Sequence, residues 1–166
     1  VGGEGKLNDR AFYYSFDYRG CHFVFLDCDR IAGGIWYGDE VSLEQVRWLE
    51  KDLAAHRERL TFLFSHQPME ATQQGKGYHL LSNRAPLLAV LRRFPNVKWA
   101  FHGHLHYDER VRLWGMNIVH LFREPTAVRV TGDKAELCRI TSAGLVPYPE
   151  SSWDELGERQ ATRWTR

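Results

Sequence analysis

Long hydrophobic runs are absent from this chain of 166 residues. No stretch approaches the roughly 18 consecutive apolar residues of a membrane-spanning helix, which excludes such a span. An excess of one charge is absent too: 22 Lys and Arg stand against 21 Asp and Glu, a net charge of +1. That balance gives no electrostatic case for nucleic acid or an anionic membrane as the main partner. Cysteine is scarce. Cys21, Cys28 and Cys138 are odd in number and lack CxxC spacing, which argues against a disulfide framework and a cysteine-based zinc site. Read as buried free thiols, they favour a cytoplasmic setting. The chain opens Val1-Gly2-Gly3-Glu4-Gly5-Lys6, with no initiator Met and nothing like a signal peptide, so further sequence upstream is expected. Internal repeats and low-complexity tracts are also missing.

What is present is ordinary globular composition, with 43% apolar and 26% charged residues. The length suits one domain. Residues 1–146 read as an α/β domain, and 147–166 as a polar tail carrying Trp153 and Trp164. Two aromatic runs, Tyr13–Tyr18 and Cys21–Leu26, flank Arg19-Gly20 and predict a hairpin. The second run is continuously apolar from Phe23 to Leu26, as a strand covered on both faces should be. Residues Asp29 to Glu40, with Gly33, Gly34 and Gly38, read as a loop. Ser42 followed by Gln45 has capping-box spacing, and Leu43, Val46, Leu49 and Leu53 keep one helical face. A buried strand follows at Leu60–Phe64, then Ser65-His66-Gln67-Pro68 and a polar loop from Met69 to Asn83. Asn83 is placed to cap a second helix with Pro86 in its first turn. The run Val97–Phe101 predicts a strand ending in His102-Gly103-His104-Leu105-His106. Antiparallel β-structure is expected over 109–141, with Gly132-Asp133 as a hairpin turn.

Histidine carries the chemical signal. Two apolar strands deliver imidazoles where their covered runs end: His66 after one, and His102, His104 and His106 after the other. Ligand sites of α/β sheets collect at the carboxyl ends of strands, and neutral imidazole is the commonest metal ligand. Residues two apart on extended backbone point the same way, which would align His104 with His106. Gly103 lets the chain turn or approach an ion closely. His102 shares their phase unless the glycine breaks it. His22, His56 and His120 read as structural or surface histidines, and Asp27 and Asp29 as loop caps.

Phe64-Ser65-His66-Gln67-Pro68 and Gly103-His104-Leu105-His106 resemble the last two metal-binding motifs of the calcineurin-like metallophosphoesterases. The segments Tyr13–Asp17, Phe23–Asp27 and Gln45–Leu53 agree, so the resemblance covers roughly residues 12 to 110. It looks most like the bacterial branch of cyclic-nucleotide and other small phosphodiesterases.

The resemblance implies the αββα sandwich of that family, here its C-terminal portion. It also implies a phosphoesterase that hydrolyses phosphomonoesters or phosphodiesters with a hydroxide activated by two divalent ions (Mn, Fe or Zn). By the same resemblance His66 and His104 are ligands of one metal and His106 of the other. The family's earlier motifs are Asp-x-His, a Gly-Asp pair bearing the bridging carboxylate, and Gly-Asn-His. None occurs here, so metal binding in this chain is expected to be partial and weak, and no catalytic residue is assigned. Substrate choice is expected to fall to the Met69–Asn83 loop, with Lys76, Tyr78 and His79 as substrate-binding candidates. An uncovered apolar face that favours self-association is a further expectation. The rival reading is a non-catalytic binding or scaffold module on the same fold; a third is a hydrolase of a different ester class using the same histidines.

Overall fold

A computed structural model of the chain describes residues 12–28, 31–32, 35–36, 40–70 and 80–156. Its centre is a seven-stranded sheet in the order β1-β2-β5-β6-β8-β7-β12. The hairpin of β1 (Tyr14–Tyr18) and β2 (Cys21–Phe25) turns through Arg19 and Gly20, both at positive φ (49° and 82°), as a tight two-residue turn demands. A short ribbon of β3 (Ile31–Ala32) and β4 (Ile35–Trp36) stands beyond it. The expected loop therefore holds a small element of its own.

α1 (Leu43–Ala55) starts where Ser42 Oγ accepts the Gln45 amide at 3.1 Å. The reciprocal half of the capping box is not made. The Gln45 side chain instead brackets Asp27, accepting its N–H at 2.9 Å and donating to its C=O at 2.8 Å. α2 (Arg84–Leu91) follows the same logic: Asn83 sits at the N-cap without capping, because its side chain binds both backbone groups of Val41. Both residues were legible as caps, yet both are used as clamps between loop and helix.

β5 (Leu60–Ser65), β6 (Val97–His102) and β8 (Met116–His120) run parallel to β2, so four carboxyl ends gather on one edge. β7 (Glu109–Leu113) is antiparallel to β8. β9 (Thr126–Thr131), β10 (Lys134–Thr141) and β11 (Gly144–Pro147) form a separate three-stranded sheet. The segment beyond residue 146 packs on the body, where β12 (Asp154–Glu155) joins β7 and both Tyr148 and Leu156 are buried.

Strand alternation divides the core into two layers. Val24, Leu63, Ala100, Ile118 and Val111 face the helices and meet Val46, Leu49, Leu53, Leu87 and Leu91. Cys21, Phe62, Trp99, Phe101 and Val119 face the other way, toward Leu137 of the small sheet and Tyr148 just beyond it. The small sheet covers only part of that second face. Across the rest runs an aromatic ladder, Tyr14–Phe25–Phe64–Phe101, with ring centroids 4.8, 4.7 and 5.3 Å apart and nearly parallel. Beside it lies Phe16–Phe23–Phe62 at 5.3 and 5.2 Å. Tyr14 and Phe16, at the margin of these ladders, remain 40% exposed. The three cysteines are free and buried. No helix among the described residues is long and apolar enough to cross a membrane.

The Met69–Asn83 loop is anchored at both ends. Its ends are core: Met69, Leu80 and Leu81 are buried, and the Leu81 amide donates to the Pro68 carbonyl at 2.9 Å. Lys76, Tyr78 and His79 lie outside the described residues.

Candidate metal centre

β5 ends at Ser65 and β6 at His102, and these two residues are register partners. The chain beyond each is held to the other by the Gly103 amide, which donates to the His66 carbonyl at 3.0 Å. That bond brings the exposed His66 ring within 5.2 Å of the half-buried His104 ring, edge to face at 81°. A Cβ on residue 103 would stand 3.3 Å from His66 Nδ1, tighter than ordinary contact. A side chain at 103 would therefore push the His66 ring aside by a few tenths of an ångström.

His104 and His106 meet the site differently from the extended-strand expectation. The strand stops at His102, and both histidines adopt left-handed backbone, φ 65° and 55°. Their direction is set by this turn and not by strand alternation. The His106 ring is exposed and stacks on Phe122, with centroids 5.4 Å apart. Phe122 is itself placed by Asp108, whose carboxylate accepts the Phe122 amide at 2.8 Å and the Arg123 amide at 3.0 Å. The sequence pattern gave no hint of Asp108; its only signal is an acidic residue two positions past the last imidazole.

His102 turns inward. Ser65 Oγ donates to the Gln67 carbonyl at 2.9 Å and therefore accepts from His102 Nδ1 at 2.7 Å. Nε2 of His102 is left as a buried lone pair without a hydrogen-bond partner. Burial, followed by the neighbouring His120, holds the His102 pKa well below its ordinary value. The His120 ring lies 5.5 Å away with neither nitrogen hydrogen-bonded, and burial pushes its pKa down to about 4. Both stay neutral at physiological pH. A cleft of about 330 Å³ opens at this edge, walled by Phe25, Phe64, Phe101 and Leu121 with His66 and His102 among its lining.

No family model matches the chain. Over 76 residues it is 40% identical to the 3',5'-cyclic adenosine monophosphate phosphodiesterase CpdA of Escherichia coli, a match covering 45% of this chain and 27% of that protein. Over 109 residues it is 28% identical to a protein of Fibrobacter succinogenes named "Probable cyclic nucleotide phosphodiesterase", covering 65% of this chain and 40% of the relative. The chain thus spans well under half the length of the curated relatives it matches. In three dimensions it superposes on a dimetal phosphatase from Danio rerio with a TM-score of 0.67 at 17% identity, over 79% of this chain and 58% of the other. The chain shares the fold of that dimetal phosphatase, the fold that its resemblance to the calcineurin-like metallophosphoesterases implies. Within that fold the four parallel strand ends carry His66 and the Gly103–His106 turn, and the mixed sheet with its helical face accounts for the architecture that the two motifs imply.

Proposed function

We propose that this chain is the histidine-bearing part of a metal-dependent phosphoesterase, with His66 and His104 as ligands of one divalent ion and His106 of a second. The observation that carries the reading is the edge-to-face meeting of His66 and His104 at the strand ends, 5.2 Å between ring centroids. The close fit of Gly103 against His66 Nδ1 supports it, because a backbone cleared of Cβ beside an imidazole leaves room for an ion. Imidazole donors suit Mn, Fe or Zn. Two such ions would polarise phosphoryl oxygens and supply a nucleophile at neutral pH.

The chain's own residues have a definable part in this. Asp108 and Phe122 hold the His106 ring, the Ser65–His102 pair fixes the backbone from which His66 and Gly103 project, and the aromatic wall of the cleft restricts water. The substrate class we assign is a small phosphodiester, in line with the named activities of the curated relatives. The bridging carboxylate and the remaining ligands are assigned to chain outside these 166 residues, since none of the 166 residues supplies those motifs.

The test compares two proteins. Residues 1–166 alone should show no manganese- or zinc-dependent cleavage of an aryl phosphodiester. A longer protein that adds the upstream coding sequence should cleave it, and His104→Asn or His106→Asn in that protein should abolish the reaction. Inactivity of a folded, metal-loaded longer protein on every ester tried would overturn the reading and favour a binding module.

A further inference from the structure

The far end of the same sheet holds a second histidine cluster that the strand-end motifs do not use. His22, near the start of β2, is 1% exposed and lies between two carboxylates. Its Nδ1 is 2.8 Å from Asp17 Oδ1, and its Nε2 is 2.7 Å from Asp52 Oδ2. His56, the residue that ends α1, stacks on the His22 ring with centroids 3.9 Å apart. His56 Nδ1 donates to the Asp52 carbonyl at 2.7 Å, which leaves Nε2 as the ring nitrogen open to an ion. That Nε2 is 3.7 Å from Asp17 Oδ2. One ligand atom each from Asp17, His22 and His56 lie within 4.8 Å of one another.

The surrounding bonds have the form of a metal site's outer shell. Ligating imidazoles almost always donate their other nitrogen to a carboxylate or a backbone carbonyl. Here His22 has Asp52 behind it and His56 has the Asp52 carbonyl, while Ser15 Oγ donates to Asp52 Oδ1 at 2.9 Å. We propose that Asp17, His22 and His56 form a second divalent-cation site, of the two-imidazole, one-carboxylate type that suits zinc, with Asp52 as its orienting residue. His22 pairs in register with Thr61, five residues before His66 along β5, which puts the cluster roughly 15 Å from the strand-end site at about 3.3 Å per residue.

Loading the site has a defined balance. His22 Nδ1 gives up its proton to solvent when the ion takes its place, so one proton leaves per ion bound. The rings lie 12° from parallel, so His22 Nδ1 and His56 Nε2 do not converge on one point as they stand. His56 is 26% exposed and turns about its side-chain bonds to meet an ion on Asp17, and Arg59, 3.5 Å from Asp17 Oδ2, gives up its place as counter-charge.

The experiment uses the 166-residue chain carrying His66→Asn and His104→Asn, titrated with zinc alone by calorimetry. One zinc per chain should bind, and adding Asp17→Asn or His56→Gln should weaken it by more than the roughly 10–100-fold typical of losing an outer-shell partner. Equal affinity in those variants, or no stoichiometric zinc, overturns the proposal. Because a variant can misfold, the unsubstituted chain is also titrated to two equivalents of zinc while the ring nitrogens are followed by NMR. His22 Nδ1 and His56 Nε2 should both move to metal-bound shifts; signals that stay in place refute the site.

Discussion

Acid bears on the fold at His120. Its two ring nitrogens are buried without hydrogen-bond partners, and its pKa is pushed down by burial to about 4 against an ordinary 6.5. Between those values the unfolded chain holds a proton that the folded chain refuses, so stability is full above about pH 6.5 and falls as pH drops toward 4. At ~1.4 kcal/mol per pH unit the loss reaches about 3.5 kcal/mol below pH 4, a large share of a domain's total stability. Glu109, with its carboxylate 3.9 Å from His120 Nε2, offsets part of this and makes the figure an upper bound. His120→Leu keeps the volume and removes both unpartnered nitrogens. At neutral pH the variant should gain about 1 kcal/mol from the relieved desolvation. At pH 4.5 it should lead the parent by about 3 kcal/mol. Urea unfolding followed by tryptophan fluorescence at pH 7.5 and 4.5, with chelator present, measures both differences. A variant that loses stability in parallel with the parent between those two pH values would refute the reasoning.

Gly103→Ala should move the His66 ring by a few tenths of an ångström and weaken metal binding several-fold with an almost unchanged unfolding midpoint, since its Cβ meets a side-chain atom at 3.3 Å; zinc titration and thermal melts separate the two. Asp108→Ala removes the acceptor of the Phe122 and Arg123 amides and should cost about 1 kcal/mol. It should also broaden the NMR signals of the His106 ring, which a rigid loop would leave sharp. Tyr14→Ser with Phe16→Ser trims the exposed margin of the aromatic ladder. Dye binding and any concentration-dependent association of the chain should both fall; persistence of either would place the sticky surface elsewhere.

Much of this fold is visible in the residue pattern because its signals are local. Continuous apolar runs mark β2, β5 and β6, and Ser42 marks the start of α1 by the amide it accepts. His66 and His104 are legible as candidate site residues because each follows such a run, and the sheet's parallel register brings the run ends together. What escaped is non-local. Gln45 and Asn83 have capping chemistry, and nothing in their neighbourhood says that Asp27 and Val41 will compete for them. His102 shares a spacing with its neighbours, but the strand carries it inward to Ser65 while the turn after Gly103 carries the others out. His22 and His56 are 34 positions apart in sequence and meet only because α1 runs back along β2. The one trace of that cluster is Asp52 four residues before His56 on a helix, a spacing that places both on one face.

The left-handed backbone at His104 and His106 also governs which substitutions the turn will accept. An L-residue with a Cβ gives up roughly 1–2 kcal/mol in that conformation, with asparagine, aspartate and glycine the exceptions. Alanine at either position would therefore mix two losses, the donor nitrogen and the backbone's comfort, and would overstate what the imidazole alone contributes. Asparagine removes the imidazole while keeping a residue the turn tolerates. In a library covering every replacement, the two positions should sort substitutions by backbone first and chemistry second: asparagine and glycine folded but metal-poor, valine and isoleucine lost before any ion is offered. The backbone of the turn thus constrains its sequence independently of what the two imidazoles do.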